Sequence, residues 1–135
     1  MKFRDIYWFL SNFYPCRITF NGHTYLCAEA AYQAQKCPER AIEFISLNGL
    51  QAKRLGRHVA MAKDFNEHKV YIMYQVLYYK FTQNPALKDK LLGTHDLYLQ
   101  EDNTWHDTYW GVCNGIGQNV LGRLLMCVRD DLKHI

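Results

Sequence analysis

Apolar and polar residues alternate through Arg17-Ile18-Thr19-Phe20 and again through Thr24-Tyr25-Leu26-Cys27, on either side of Asn21-Gly22. Asn-Gly tolerates the positive φ angles of a tight turn, so this alternation predicts a β-hairpin. The period changes at Ala28. From there to Lys36 the chain is rich in Ala, Glu and Gln, with no Gly or Pro before Pro38, which predicts a helix. Ala41 to Leu47 and Leu50 to Val59 read as two short helices broken at Asn48-Gly49, with Lys53, Arg54 and Arg57 projecting from the second. Asp64 followed by Glu67 has the form of a capping box. Beyond it Val70, Met73, Tyr74, Leu77 and Phe81 recur at the spacing of one helical face, in a run that Gln75 and Lys80 interrupt. This is the expected central helix.

Asn84-Pro85 restarts a short helix through Leu92, and Asp96 to Gln100 alternates like a strand. Val120, Leu121, Leu124, Leu125 and Val128 line a closing helix that begins near Asn119 and carries Arg129 on its flank. Between strand and helix, Asp102 to Gln118 is rich in Gly, Asn, Asp and aromatics. It is too polar for core and too aromatic for a linker, and reads as a binding loop. Together the elements predict an α+β fold dominated by helices, with a hairpin and a few short strands, in a single domain spanning residues 1–135.

Composition narrows the function classes. With 135 residues, 49% of them apolar, the chain is the size of one core. No stretch approaches the roughly 20 apolar residues of a membrane span. Met1-Lys2-Phe3-Arg4-Asp5 lacks the apolar segment of an export signal, so a cytoplasmic protein is expected. The five cysteines show no C-x-x-C pair and read as reduced thiols; Cys27 and Cys37 lie near candidate site residues but have no activating His beside them. A net charge of +3 favours an anionic ligand and falls short of a dedicated DNA-binding domain. The six histidines lack metal-site spacing, and Gly115-x-Gly117 lacks the strand, third glycine and downstream acid of a dinucleotide turn. Neither a metal nor a cofactor is expected.

Three segments carry candidate chemistry. On the helix from Ala28, Glu29, Gln33 and Lys36 share one face and point a carboxylate, an amide and an amine the same way. On spacing alone, that face fits an ordinary solvated surface as well. In Trp105-His106-Asp107-Thr108-Tyr109-Trp110-Gly111 a carboxylate is bracketed by rings on which a planar base can stack. Asp107 as a turn cap, with the tryptophans as core anchors, fits the same pattern. Leu10-Ser11-Asn12-Phe13-Tyr14-Pro15 sets an amide among aromatics before a proline, in a ligand contact or simply a turn.

The order of the segments resembles the NADAR (YbiA-like) family from end to end. The matching residues are Leu10 to Pro15, Glu29-Ala30-Ala31-Tyr32-Gln33-Ala34-Gln35-Lys36, Ala52-Lys53-Arg54-Leu55-Gly56-Arg57, Lys80-Phe81 with Gln83-Asn84, Asp107-x-x-Trp110-Gly111, and Gly117-x-Asn119-x-Leu121-Gly122-x-x-Leu125-Met126-x-x-Arg129. One position departs from the family pattern, which usually has His after the helix glutamate where this chain has Ala30. The resemblance implies hydrolysis of a ribose–nitrogen bond. Some members act on phosphorylated early intermediates of riboflavin biosynthesis, and others remove ADP-ribose from guanine.

On that basis Glu29 and Asp107 are expected to be the acidic pair, and Lys36 offers a second route through a Schiff base. Trp110 is expected to stack on the ligand, Asn12 to hold its ribose or phosphate, and Arg57, with Arg54 in reserve, to hold the phosphate. Phe13, Gln33, Gly111 and Asn119 complete the expected ligand contacts. The expected partner is a small phosphorylated ribosyl substrate. ADP-ribosylated DNA or RNA is the alternative, with Lys53, Arg54, Arg57 and Lys63 as its groove. A non-catalytic nucleotide-binding module is the competing class, and Ala30 is the feature that favours it.

Overall fold

The computed structural model describes residues 1–135 and forms the expected hairpin. Strand β1 (Ile18–Phe20) pairs antiparallel with β2 (His23–Tyr25), Ile18 opposite Tyr25 and Phe20 opposite His23. Asn21 and Gly22 turn the chain with φ of 49° and 85°, values that need these residue types. The helices follow in the expected order: α1 (Ala28–Ala34), α2 (Gly49–Gly56), α3 (Phe65–Thr82), α4 (Pro85–Leu92) and α5 (Val120–Lys133). Two 3₁₀ segments, Asp5–Leu10 and Pro38–Phe44, bring the helical segments to seven. None of them is long and apolar enough to cross a membrane.

The chain divides into two units, Asn12–Pro85 and the joined segments Met1–Ser11 and Ala86–Ile135. In the Asn12–Pro85 unit, α1 packs against α2, α3, the hairpin and the second 3₁₀ segment. It does so through alanines: Ala28, Ala30, Ala31 and Ala34 are fully buried, as is Ala52 of α2. Side chains this small let neighbouring backbones approach closely.

Several boundaries differ from the sequence expectation. Ala41 to Leu47 is not an α-helix; its first residues belong to the tighter 3₁₀ turn that Pro38 opens. The second short helix ends at Gly56 rather than Val59. The capping box forms at Asn48, not Asp64: Asn48 Oδ1 accepts from the Gln51 N–H, and Gln51 Oε1 accepts from the Asn48 N–H, both at 2.9 Å. Asp64 has φ −96° and ψ 5°, away from the extended backbone a capping side chain needs.

The buried face of α3 is Met73, Val76, Leu77, Lys80 and Phe81, while Val70 is exposed and Tyr74 half-buried. Lys80 joins the buried stripe although its charge interrupts the apolar run in sequence. Its Nζ lies 5.8 Å from the Tyr14 ring centre and 5.2 Å from that of Phe81.

In the other unit the expected strand Asp96 to Gln100 does not form, because its carbonyls pair with side chains. Arg129 Nη1 donates to Leu97 O, and Asn119 Nδ2 donates to Leu99 O, both at 2.9 Å. The strand pair lies just beyond, where β3 (Asp102–Asn103) runs parallel to β4 (Val112–Cys113). The aromatic loop thus contains core, with Asn103, Gly111, Val112 and Cys113 buried. Helix α5 buries Val120, Leu121, Leu125, Val128 and Leu132, together with Arg129, which was expected on its flank.

Burial pushes the Lys80 ammonium down from 10.5 to about 8, against an opposing pull from the Cys16 and Cys27 thiols. Between those two pH values the unfolded chain holds the proton that the folded chain has released, so this contribution to stability rises with pH. The unfolding free energy of the wild type, measured in urea, should gain on that of Lys80→Met between pH 8 and 10, with a slope approaching about 1.4 kcal/mol per pH unit. Parallel pH curves for the two proteins contradict the assignment.

Candidate active site

Glu29 stands in the first turn of α1, with Gln33 one turn on and Lys36 just past the helix end. Gln33 Nε2 donates to Glu29 Oε2 at 2.7 Å, and the Glu29 N–H donates to Asn12 O at 2.9 Å. The carboxylate can only accept, which fixes which end of the Gln33 amide faces it. The other end lies on Gly56 of α2. A Cβ at position 56 would overlap Gln33 Oε1 and stand 2.7 Å from Cδ. Gln33 is 6% exposed, and its Oε1 has no hydrogen-bond donor. An acceptor left this way costs about 1–3 kcal/mol. The ordinary solvated surface is therefore not what forms here.

Lys36 is half-buried, and burial is the main cause of an ammonium pKa held below that of an ordinary lysine. Glu29 opposes the shift, while Arg57 and Lys69 reinforce it. Lys36 thus feels both the Glu29 carboxylate and Arg57, the exposed C-cap of α2; Arg54 is exposed on the same helix. Lys69 is a half-buried cation of this cluster that the sequence did not single out. Asn12 is buried, with Nδ2 3.5 Å from Met73 Sδ and Oδ1 unpartnered. The Phe13 ring covers Gly49, where a Cβ would come within 2.6 Å of it. Burial raises the Cys27 thiol, the opposite of what a nucleophile needs.

The remaining expected site residues belong to the other unit. Asp107 Oδ1 accepts from the backbone N–H of Tyr109 at 3.1 Å and of Trp110 at 2.9 Å, so the turn cap forms. Buried Asn103 clamps Asp107 from both sides: its Nδ2 donates to Asp107 O at 2.9 Å, and its Oδ1 accepts from the Asp107 N–H at 3.1 Å. No spacing signal marks Asn103 in the sequence. The Tyr109 and Trp110 rings meet edge to face at 5.0 Å, and Trp105 is 56% exposed. Gly111 lies against Glu101 and the Asn103 amide, 2.7 Å from where a Cβ would stand, so this position accepts only glycine. The Asn119 amide is committed to the fold, with Oδ1 accepting from the Glu101 N–H at 3.0 Å and Nδ2 donating to Leu99 O at 2.9 Å.

The whole chain shares its architecture with a known protein class. It matches the NMR structure of the E. coli protein YbiA with a TM-score of 0.86 and 31% identity, covering 99% of this chain and 84% of that one. In sequence it is 37% identical over 134 residues to the N-glycosidase YbiA of Shigella flexneri, covering 95% of this chain and 83% of the relative. It is 38% identical over 131 residues to a riboflavin biosynthesis protein of Vibrio vulnificus, of which it spans 35% of the length and which covers 93% of this chain. The model of the NADAR domain matches residues 2–133, and the chain belongs to the NADAR family.

Asn119 has φ 51° and ψ 42°, a left-handed conformation that Asn tolerates better than most residues. Asn119→Ala loses one buried and one part-buried hydrogen bond and adds backbone strain, so urea denaturation of the ligand-free protein should show a loss of about 2–3 kcal/mol. An unchanged midpoint would return Asn119 to the ligand contacts.

Proposed function

We propose that this chain is an N-glycosidase that hydrolyses the bond between a ribose carbon and a nitrogen in a phosphorylated ribosyl substrate. The observation that carries the reading is the carboxylate of Glu29 held by Gln33, beside a half-buried Lys36 amine that feels both Glu29 and Arg57. Family membership and the names of the relatives support it. Of the substrates the family suggests, a phosphoribosylaminopyrimidine of riboflavin biosynthesis fits best, because one relative is named for that pathway. ADP-ribosylated guanine is the second substrate. A cytoplasmic, single-domain protein remains part of this reading.

Cleavage builds positive charge on the anomeric carbon, which a fixed carboxylate stabilises while the leaving nitrogen takes a proton and water adds to the carbon. Glu29 serves as that carboxylate, and Arg57, with Arg54, takes the phosphate. Lys36 gives a covalent variant of the same reaction. Its free amine adds to the open-chain imine of the ribosylamine and releases the nitrogen as an amine; water then hydrolyses the new imine and restores the lysine. A lowered pKa favours this route because it leaves more free amine near neutral pH. Asp107 and Trp110 keep the second-carboxylate and stacking roles that the family resemblance assigns them. The competing binding-module reading rested on Ala30. That residue is fully buried and lies about 100° around α1 from Glu29, which favours a packing role for it.

The test incubates the protein with phosphoribosylaminopyrimidine, ADP-ribosylated guanine DNA and free ADP-ribose, and follows products by mass spectrometry. Release of a ribose phosphate or ADP-ribose is expected. In folded Glu29→Gln it should fall by about 10²–10⁴-fold. Asp107→Asn tests the second carboxylate separately. Borohydride during turnover should trap an adduct on Lys36 if the imine route operates, whereas full turnover without an adduct leaves direct hydrolysis. Binding of all three ligands without turnover contradicts the enzyme reading.

A further inference from the structure

We infer that Gln33 is a positioning residue for Glu29, not a ligand contact, and that Gly56 keeps it in that role. The inference rests on Glu29 being the reacting carboxylate. A side-chain amide as buried as Gln33 ordinarily satisfies both of its ends. Here only the nitrogen does so, by donating to Glu29 at 2.7 Å. The oxygen is closed off from solvent, has no donor, and rests against the Cα of Gly56. It therefore presents nothing to a ligand. The amide acts outward only through its bond to a carboxylate that is itself half-exposed.

Glu29 is thus fixed twice, by its backbone N–H on Asn12 O and by its carboxylate on Gln33 Nε2. An apolar side chain of the same length at position 33 removes an orphaned acceptor, which offsets the lost bond to Glu29, a half-exposed carboxylate that water can solvate instead. It does remove the bond that selects one orientation of Glu29. Gly56 completes the device. Any larger residue there strikes the Gln33 oxygen and levers the nitrogen away from the carboxylate.

This account separates Gln33 from a residue that merely packs, because Gln33→Met should lose function without losing stability. Crystal structures should show Glu29 in one rotamer in the wild type and spread over several in Gln33→Met, with an unfolding midpoint equal to the wild type or higher. On phosphoribosylaminopyrimidine the variant's kcat should fall about 10- to 100-fold, with KM within about twofold. Gly56→Ala should reproduce the kcat loss, and it carries the test should Gln33→Met not fold. A Gln33→Met protein that keeps the Glu29 rotamer and the wild-type kcat, while Glu29→Gln is inactive, overturns the inference and leaves the proposed reaction standing. A raised KM with unchanged kcat also overturns it, since that marks a ligand contact. A fully active Glu29→Gln overturns both.

Discussion

The Gln33 amide has space for one hydrogen bond, because the backbone of Gly56 occupies the side where a second donor would stand. That approach depends on position 56 being glycine, and it is made by a helix whose other buried positions are alanines, Ala28, Ala30, Ala31 and Ala34, against a helix that buries Ala52. Larger side chains would hold the two helices further apart and open the amide to water. The same closeness shields Lys36 from solvent and brings Arg57 within its field, and both lower the Lys36 pKa. The approach of α2 to α1 at Gly56 thus bears on the carboxylate through Gln33 and on the amine through Arg57. Neither property belongs to any single residue of the pair.

The two candidate carboxylates are fixed by different physics. Glu29 is held through a side chain one helical turn away, so its orientation depends on tertiary packing around Gln33. Asp107 is held by its own turn: Oδ1 takes two backbone N–H groups, and Asn103 closes the backbone behind it. Its Oδ2 takes no part in the cap. A capping role and a chemical role are compatible in one carboxylate when each uses a different oxygen. The turn-cap and binding-loop readings of the aromatic segment were therefore never exclusive.

Local signals were legible in the sequence and long-range pairings were not. Asn21-Gly22 announced the hairpin because turn geometry is set by two residues, and the alanine-rich segment announced α1 because propensity acts locally. The Glu29–Gln33–Lys36 face followed from helical period alone. The burial of Lys80 is not legible in the sequence, since only the tertiary surroundings decide whether a lysine stem is covered. The false strand at Asp96 to Gln100 has the right alternation, yet its carbonyls are taken by Arg129 and Asn119 from far along the chain. No pattern within the segment contains that information. Gly56 lay inside a motif whose order was recognised, but its reason for being glycine is a side chain on another helix.

Ala30 is the clearest departure from the family pattern. Helical geometry separates consecutive residues by about 100°, so position 30 does not share the face of Glu29, Gln33 and Lys36. Its side chain is fully buried beside Ala31 and close to Ala34. An imidazole there would need room for a five-membered ring in a contact sized for methyl groups, and overpacking of that kind costs about 1–3 kcal/mol. The neighbourhood of position 30 must therefore be shaped differently wherever a histidine occupies it. The substitution is accordingly a difference in how α1 packs, and the carboxylate, amide and amine keep their arrangement without it.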